Sequence, residues 1–188
     1  MGRRRQVSDR EISVAAREVF LDRGPRAPVA MVAKKLGVST ATLFQRTGTK
    51  QQLMLMALRP DGSTPVTELE RGLQPGTPVL EQLSHVLLEI NQYLGAIISG
   101  SLTLRAACIE ENLPDPTPTQ LRDTLAAWLR QAAAAKLLAV SDAPTTADVL
   151  IGAIESRHIH GYMKQQRLSS QQHRDYIRAM LDVVFPSR

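Results

Sequence analysis

Helix-start signals followed by apolar residues at helical spacing recur along the whole chain, and no segment alternates as a β-strand does. At the first signal, Ser8 and Glu11 have the spacing of a capping box, in which each side chain accepts a backbone N–H of the other residue. Apolar residues between positions 12 and 20 then recur at i, i+3, i+4, i+7 and i+8, on one face of a helix that ends near Gly24. The sequence therefore predicts an all-α fold.

Three short helices are predicted after the first. One spans 29–36 and ends at Gly37, since glycine takes a left-handed backbone conformation at little cost. The next runs from about 40 to 46, with Ser39 as its N-cap. The last begins after Thr49 and presents an apolar face made of Leu53, Met54, Ala57 and Leu58.

Residues 60–78 contain four prolines and three glycines, a composition typical of a boundary between domains. The predicted architecture is an N-terminal three-helix helix-turn-helix domain over 8–60, with its motif at about 29–48, followed by a larger C-terminal helical bundle over 61–188. Beyond the boundary, helices are predicted at about 78–99, 101–112, 118–140, 146–167 and 170–185.

The two parts of the chain differ in the sign of their net charge. Residues 1–60 contain twelve Lys or Arg and four acidic residues, a net charge of +8, whereas residues 61–188 contain eleven basic and fourteen acidic residues, a net charge of −3. A basic segment joined to a mildly acidic one is expected of a nucleic-acid-binding head on a larger body. A solvated basic surface would give the same totals, so charge alone leaves both interpretations open.

The tripeptide Gly37-Val38-Ser39 separates two short helices and fits the turn of a helix-turn-helix motif. The glycine permits a sharp reversal, Val38 fills the angle between the helices, and Ser39 caps the second helix. A packing unit of three helices with an incidental glycine turn is the alternative, but the turn spacing together with the basic head favours DNA binding.

Small and polar residues cover the exposed side of the second helix of this motif, which allows close approach to base edges. Gln45 and Arg46 are chemically able to bind adenine and guanine edges in the major groove. Lys50, at the start of the next helix, can bind a phosphate together with the helix N-terminal amides. The predicted DNA-binding set on these helices is Ser39, Thr40, Ala41, Thr42, Phe44, Gln45, Arg46 and Lys50.

A set of spaced elements in the first 60 residues consists of Ala15-Ala16, Phe20, Gly24, Val32-Ala33, Gly37-Val38-Ser39, Thr42-Leu43-Phe44 and Gly48-Thr49-Lys50. Together they resemble the N-terminal domain of tetracycline-repressor-type (TetR) regulators. The resemblance covers roughly residues 8–60, about a third of the chain.

The resemblance implies a homodimer whose third helices enter successive major grooves of a palindromic operator. It also implies a C-terminal all-α domain that binds a small-molecule effector and dimerises through its last two helices. Phe44 stands where the family has a tyrosine or phenylalanine near the DNA backbone, and Lys50 where it has a phosphate-binding lysine. The chain departs from the family at Arg46-Thr47, where an aromatic pair such as His-Phe is common, and a phenylalanine at position 44 lacks the tyrosine hydroxyl.

Three arginines, Arg3, Arg4 and Arg5, precede the first helix. They have two interpretations: a basic arm that contacts phosphates or a minor groove, or a solvated terminus.

The C-terminal domain offers candidates for effector contacts and for a dimer interface. Ligand pockets are mostly apolar with a few placed polar groups. The ligand-binding candidates are Glu89, Gln92, Tyr93, Cys108 and Trp128. The last two helices have broad apolar stripes that suit a four-helix bundle with a twin pair. The predicted interface comprises Leu150, Ala153, Ile154, Tyr162, Tyr176, Ile177, Met180, Leu181 and Val184.

Other classes of function find little support in the sequence. His158 and His160 point about 200° apart on a helix, so they cannot share a metal ion, and we predict no metal, no cofactor and no enzymatic activity. With one cysteine and no apolar signal segment, the chain is expected to be cytoplasmic. The sequence predicts a DNA-binding transcriptional regulator, most simply a repressor released by an effector; the alternative is an architectural DNA-binding protein without an effector.

Overall fold

The computed structural model of the chain describes residues 7–59, 65–109, 118–166 and 168–186. These residues form α-helices joined by short turns, and no strand occurs among them, which confirms the predicted all-α fold. The helices are α1 (Asp9–Arg23), α2 (Val29–Leu36), α3 (Thr40–Thr47), α4 (Lys50–Leu58), α5 (Val66–Glu70), α6 (Val79–Ala106), α7 (Pro118–Ala134), α8 (Ala143–Met163) and α9 (Ser170–Val184).

The described residues divide into two compact units, each with its own hydrophobic cluster. The N-terminal unit contains 7–59 and 99–109, and the C-terminal unit contains 65–98 and 118–186 apart from position 167. Helix α6 therefore contributes its residues up to 98 to the C-terminal unit and its residues from 99 onward to the N-terminal unit. The predicted bounds of the DNA-binding domain, 8–60, and of the C-terminal domain, 61–188, stay predictions.

The N-terminal unit is built around the apolar face of α1. The capping box between Ser8 and Glu11 is present at the start of α1, and Gly24 ends the helix. Helix α1 packs against α2 and α4, and α3 packs against α2 and α4. Phe20 is fully buried at the centre of this unit. The predicted inward faces of the first four helices are all buried.

Helix α6 is continuous where the sequence predicted two helices, so the predicted break near residue 100 is wrong. Gly100 is helical and buried, and a Cβ built on it would lie 2.5 Å from the carbonyl oxygen of Leu58. The glycine permits close approach of two backbones rather than a break in the helix. Beyond it, Leu104 and Ile109 are buried in the cluster of the N-terminal unit.

The C-terminal unit packs α7 against α5 and α8, and its cluster takes buried residues from α5 to α9. Two helices of this unit begin with a side-chain cap: the Asp142 carboxylate accepts the Thr145 amide at 2.7 Å, and Ser169 and Gln172 form a capping box. The hydrogen bonds from Thr145 hold the pKa of Asp142 below its ordinary value. Among the described helices, none has the length and apolar character needed to cross a membrane.

Candidate DNA-binding surface

The turn between α2 and α3 has the geometry that its sequence predicts. Gly37 is left-handed at φ 69° and ψ 30°, and its amide donates to the carbonyl of Lys34 at 3.2 Å. The Val38 amide donates to the carbonyl of Ala33 at 3.0 Å, and the Val38 side chain packs against the N-terminal cluster. These bonds satisfy the last carbonyls of α2 and fix the direction in which α3 leaves the turn.

Helix α3 has one buried residue and an otherwise open surface. Its N-cap, Ser39, accepts the Thr42 amide at 3.0 Å. Leu43 packs into the core, whereas Phe44 keeps 36% of its surface exposed. The helix therefore presents a short polar face with an aromatic side chain beside it. On that face Ala41, Gln45 and Arg46 are exposed, and Thr40 and Thr42 are partly exposed.

Arg46 reaches back from the last turn of α3 to the start of α1. Its Nη1 donates to the carbonyl oxygen of Val7 at 2.8 Å, and its Nη2 forms an ion pair with the carboxylate of Asp9. Both terminal nitrogens of a side chain predicted to bind a base are thus occupied within the protein. Sequence reasoning missed Val7 and Asp9 as partners, because they lie 39 and 37 residues away from Arg46.

The turn after α3 depends on a second glycine. Gly48 has φ 72° and ψ −107°, and the next residue, Thr49, forms a capping box with Gln52 at the start of α4. Lys50 is the first residue of α4, and its Nζ lies 5.9 Å from the centre of the Phe20 ring. In this half-buried position the lysine side chain lies along the core, with its ammonium group over the Phe20 ring.

Two polar residues of α1 hold the end of α4 and were not predicted. The Arg17 Nε donates to the carbonyl of Ala57 at 2.7 Å, and the Ser13 hydroxyl donates to the carbonyl of Met56 at 3.2 Å. Their i, i+4 spacing next to the apolar face of α1 was the available signal. They satisfy carbonyls that the last turn of a helix leaves unpaired.

The sequence of this unit matches a known family. The model of "Bacterial regulatory proteins, tetR family" matches residues 12–57, which include the whole turn and both flanking helices described above. Residues 12–57 form a tetR-family domain. The chain is a DNA-binding transcriptional regulator, and this family is not one of enzymes. A comparison with curated proteins finds no match.

Solved structures that are similar to this chain cover nearly all of it. The TetR regulator SCO0520 from Streptomyces coelicolor is 21% identical, with a TM-score of 0.61, over 96% of this chain and 100% of the other. A structure described as "Molecular basis for control of antibiotic production by a bacterial hormones" is 24% identical, with a TM-score of 0.65, over 96% of this chain and 99% of the other. The fatty acid degradation regulator FadR from Bacillus halodurans is 14% identical, with a TM-score of 0.62, over 97% of each chain. These similarities extend the shared fold to the C-terminal helices.

The predicted ligand-binding residues do not lie in one unit. Trp128 is buried in the C-terminal cluster, and Tyr93 packs against that cluster. Glu89 and Gln92 lie on α6, where Glu89 is partly exposed and Gln92 is exposed. Cys108 belongs to the N-terminal unit, where it lines an open groove of about 530 Å³ with Arg26, Lys50 and Met54 among its other walls. The ligand-binding role of all five residues stays a prediction.

The predicted dimer residues of α8 and α9 differ in their exposure. Ala153, Tyr162, Tyr176 and Val184 are partly exposed, whereas Leu150, Ile154, Ile177, Met180 and Leu181 are buried in the cluster of their own unit. Other apolar side chains of the two helices are more exposed: Val149 at 51%, Ile159 at 41%, Met163 at 76% and Val183 at 81%. The interface role of the predicted residues stays a prediction. The arginine arm, Arg3, Arg4 and Arg5, lies outside the described residues.

A cluster of polar side chains lies inside the C-terminal unit, between α6, α8 and α9. His158 Nε2 lies 3.0 Å from the Oδ1 of buried Asn91, and the His158 and His173 rings stack with centroids 5.3 Å apart. The Arg157 guanidinium lies 4.2 Å from the centre of the Tyr176 ring. We call these five residues the histidine cluster. Within the described chain no group of three or more His, Cys, Asp or Glu could hold a metal ion.

Burial and positive neighbours act on both histidines of this cluster. Burial lowers the pKa of His158 below its ordinary value, and His173 and Arg157 lower it further, against the hydrogen bond with Asn91. Burial and then Arg157 lower the pKa of His173. Both rings therefore favour the neutral form. His160, two residues further, turns back to its own helix, with Nδ1 2.9 Å from the Ser156 carbonyl.

Proposed function

We propose that this regulator is a repressor that binds a palindromic operator as a homodimer and leaves it when a small-molecule effector binds the C-terminal unit. The observation that carries the DNA-binding part is the exposed face of α3, with Ala41 and Gln45 at its centre and Phe44 beside them. A short helix of this kind, presented by a fixed turn, fits the major groove.

The chemistry of this face supports sequence-specific contact. The Gln45 amide can donate to and accept from one adenine, and the Ala41 methyl group allows close approach to a thymine methyl. Lys50 and the first amides of α4 suit a phosphate. The bond between Arg46 and the carbonyl of Val7 ties the start of the described chain to α3. Since Arg3, Arg4 and Arg5 precede Val7 by four to two residues, we propose that they contact the DNA backbone.

Helix α6 supports a route for release. Its residues up to 98 belong to the C-terminal unit, and its residues from 99 onward pack in the N-terminal unit, where Gly100 touches Leu58 of α4. An effector that prefers a shifted α6 would therefore move the end of α4 and the helices packed on it. Release is then a population shift toward a state in which two heads no longer match the operator spacing.

The effector and the dimer are supported by less direct observations. Val149, Ile159, Met163 and Val183 are exposed apolar residues of α8 and α9, as a surface that packs against a second subunit requires. Among the structural neighbours, one is a fatty acid degradation regulator and another concerns control by bacterial hormones. We propose a small organic effector for this chain as well.

Selection of bound sequences from a random DNA pool tests this function. It is performed at physiological salt, because phosphate contacts strengthen unspecific binding at low salt. A palindromic consensus is the expected result. Recovery of no consensus, with binding that fades as salt rises, would contradict it and favour the alternative of an architectural DNA-binding protein.

A further inference from the structure

We propose that Arg46 is a positioning residue that fixes the recognition helix α3 against the start of α1, and that it does not bind a base. The inference rests on the proposed operator binding by α3. It assigns a role to Asp9 and to the carbonyl of Val7, and it leaves base recognition to the other exposed residues of α3.

The two terminal nitrogens of Arg46 carry the argument. An arginine that binds guanine turns its guanidinium group toward the base and donates two hydrogen bonds, one to O6 and one to N7. Here Nη1 is taken by the Val7 carbonyl at 2.8 Å and Nη2 by the Asp9 carboxylate. Binding a base would break two charge-assisted contacts, one of them an ion pair, and would leave a carboxylate unpaired on the face that approaches DNA.

The anchor at the start of α1 is itself well held. Val7 is buried in the cluster of the N-terminal unit. Between Val7 and Asp9, the Ser8 amide donates to the Glu11 carboxylate at 2.8 Å and the Glu11 amide donates to the Ser8 hydroxyl at 3.2 Å. Arg46 therefore binds to the capped N-terminal end of α1, which is held in place by these contacts.

Helix α3 depends on this attachment to α1 because it has few other contacts. It is eight residues long, and Leu43 is its one buried side chain. Leu43 lies near the middle of the helix and leaves rotation about that point weakly restrained. Arg46, one turn further on, adds a second point of attachment, and two points fix the direction of the helix.

The test compares operator binding of the wild-type chain with that of R46A, R46K and D9N, on the selected operator and on its single-base variants. Loss of a negative charge near DNA ordinarily strengthens binding. A positioning role predicts the opposite for D9N, which should bind roughly threefold to tenfold more weakly. R46A should weaken binding to every operator variant by the same factor, R46K should lie between, and D9N/R46A should be no weaker than R46A.

Three results would overturn the proposal: a changed base preference at one operator position in R46A, stronger binding by D9N, or wild-type affinity in R46A. Amide hydrogen exchange of the free protein gives a readout that does not depend on DNA. Faster exchange in α3 than in α4, in both R46A and D9N, is expected, and unchanged exchange in α3 would also overturn the proposal. If the wild-type chain selects no operator while R46A and D9N show this exchange pattern, the proposed function alone is rejected.

Discussion

The carbonyl oxygen of Leu58, at the end of α4, lies 2.5 Å from the place where a Cβ on Gly100 would stand. No side chain separates the two backbones, so the end of α6 rests directly on the helix that follows the recognition helix. Any side chain at position 100 must push these helices apart.

The substitution G100A should destabilise the N-terminal unit. The added methyl group meets backbone, which cannot move aside as a flexible side chain can, and overpacking of this kind costs about 1–3 kcal/mol. G152A is the matched control, since an added Cβ at that helical position of α8 has nothing within 4 Å. Alanine should there stabilise the helix by about 0.5–1 kcal/mol. Urea unfolding of both variants checks the prediction; equal free energies of unfolding would contradict it.

The two turn glycines around α3 should respond differently to asparagine. Gly37 is in the left-handed helical region, which asparagine tolerates, and G37N should cost about 1 kcal/mol or less. Gly48 lies at φ 72° and ψ −107°, and a Cβ there would lie 2.1 Å from the Gln52 Oε1 that accepts the Thr49 amide. G48N should cost about 2–4 kcal/mol through backbone strain and loss of the cap. Thermal unfolding that ranks G37N as the less stable variant would refute this.

Stability should fall when the pH is lowered from 7.5 to 5.5. The histidine cluster holds the pKa of His158 and of His173 below the ordinary value of 6.5. The unfolded chain therefore takes up protons first as the pH falls, and stability declines from about pH 6.5 down to the lowered values. H173Q removes one titrating ring and one positive neighbour of His158, so its stability should depend less on pH. Urea unfolding at both pH values measures this, and an undiminished dependence in H173Q would count against it.

Substitution of an exposed valine of α9 should weaken the proposed dimer. Val183 keeps 81% of its surface exposed, and V183E should reduce the dimer in analytical ultracentrifugation because a buried charge in an apolar interface is costly. V14E is the matched control, since Val14 is an exposed valine of α1, at 53%. Dimer populations that are the same in both variants would exclude the proposed surface.

Local features of the fold were predictable from the sequence. The capping box at Ser8 and the apolar face of α4 depend on residues three or four positions apart, and the structure has both as predicted. The helix break at Gly100 was wrongly predicted, since a glycine that ends a helix and one that permits close packing look the same in sequence. The difference lies in Leu58, 42 positions away.

The site was predictable in part for the same reason. Turn geometry at Gly37 and the burial of Leu43 follow from adjacent residues, but the partners of Arg46 come from the start of α1. An apolar stripe in the sequence also does not show whether the same unit or a second subunit packs against it. Leu150 and Ile177, for example, are fully buried within their own unit.

The most direct test of the account is the affinity of Q45A for the selected operator and for a scrambled duplex at physiological salt. Gln45 is exposed at the centre of the α3 face, and Q120A, at an exposed glutamine of α7, is the control. We expect Q45A to lose about 1–3 kcal/mol of discrimination at one base pair of each half-site and to keep its affinity for the scrambled duplex. Q120A should match the wild type. A ratio of operator to scrambled affinity that is unchanged in Q45A would contradict recognition through α3.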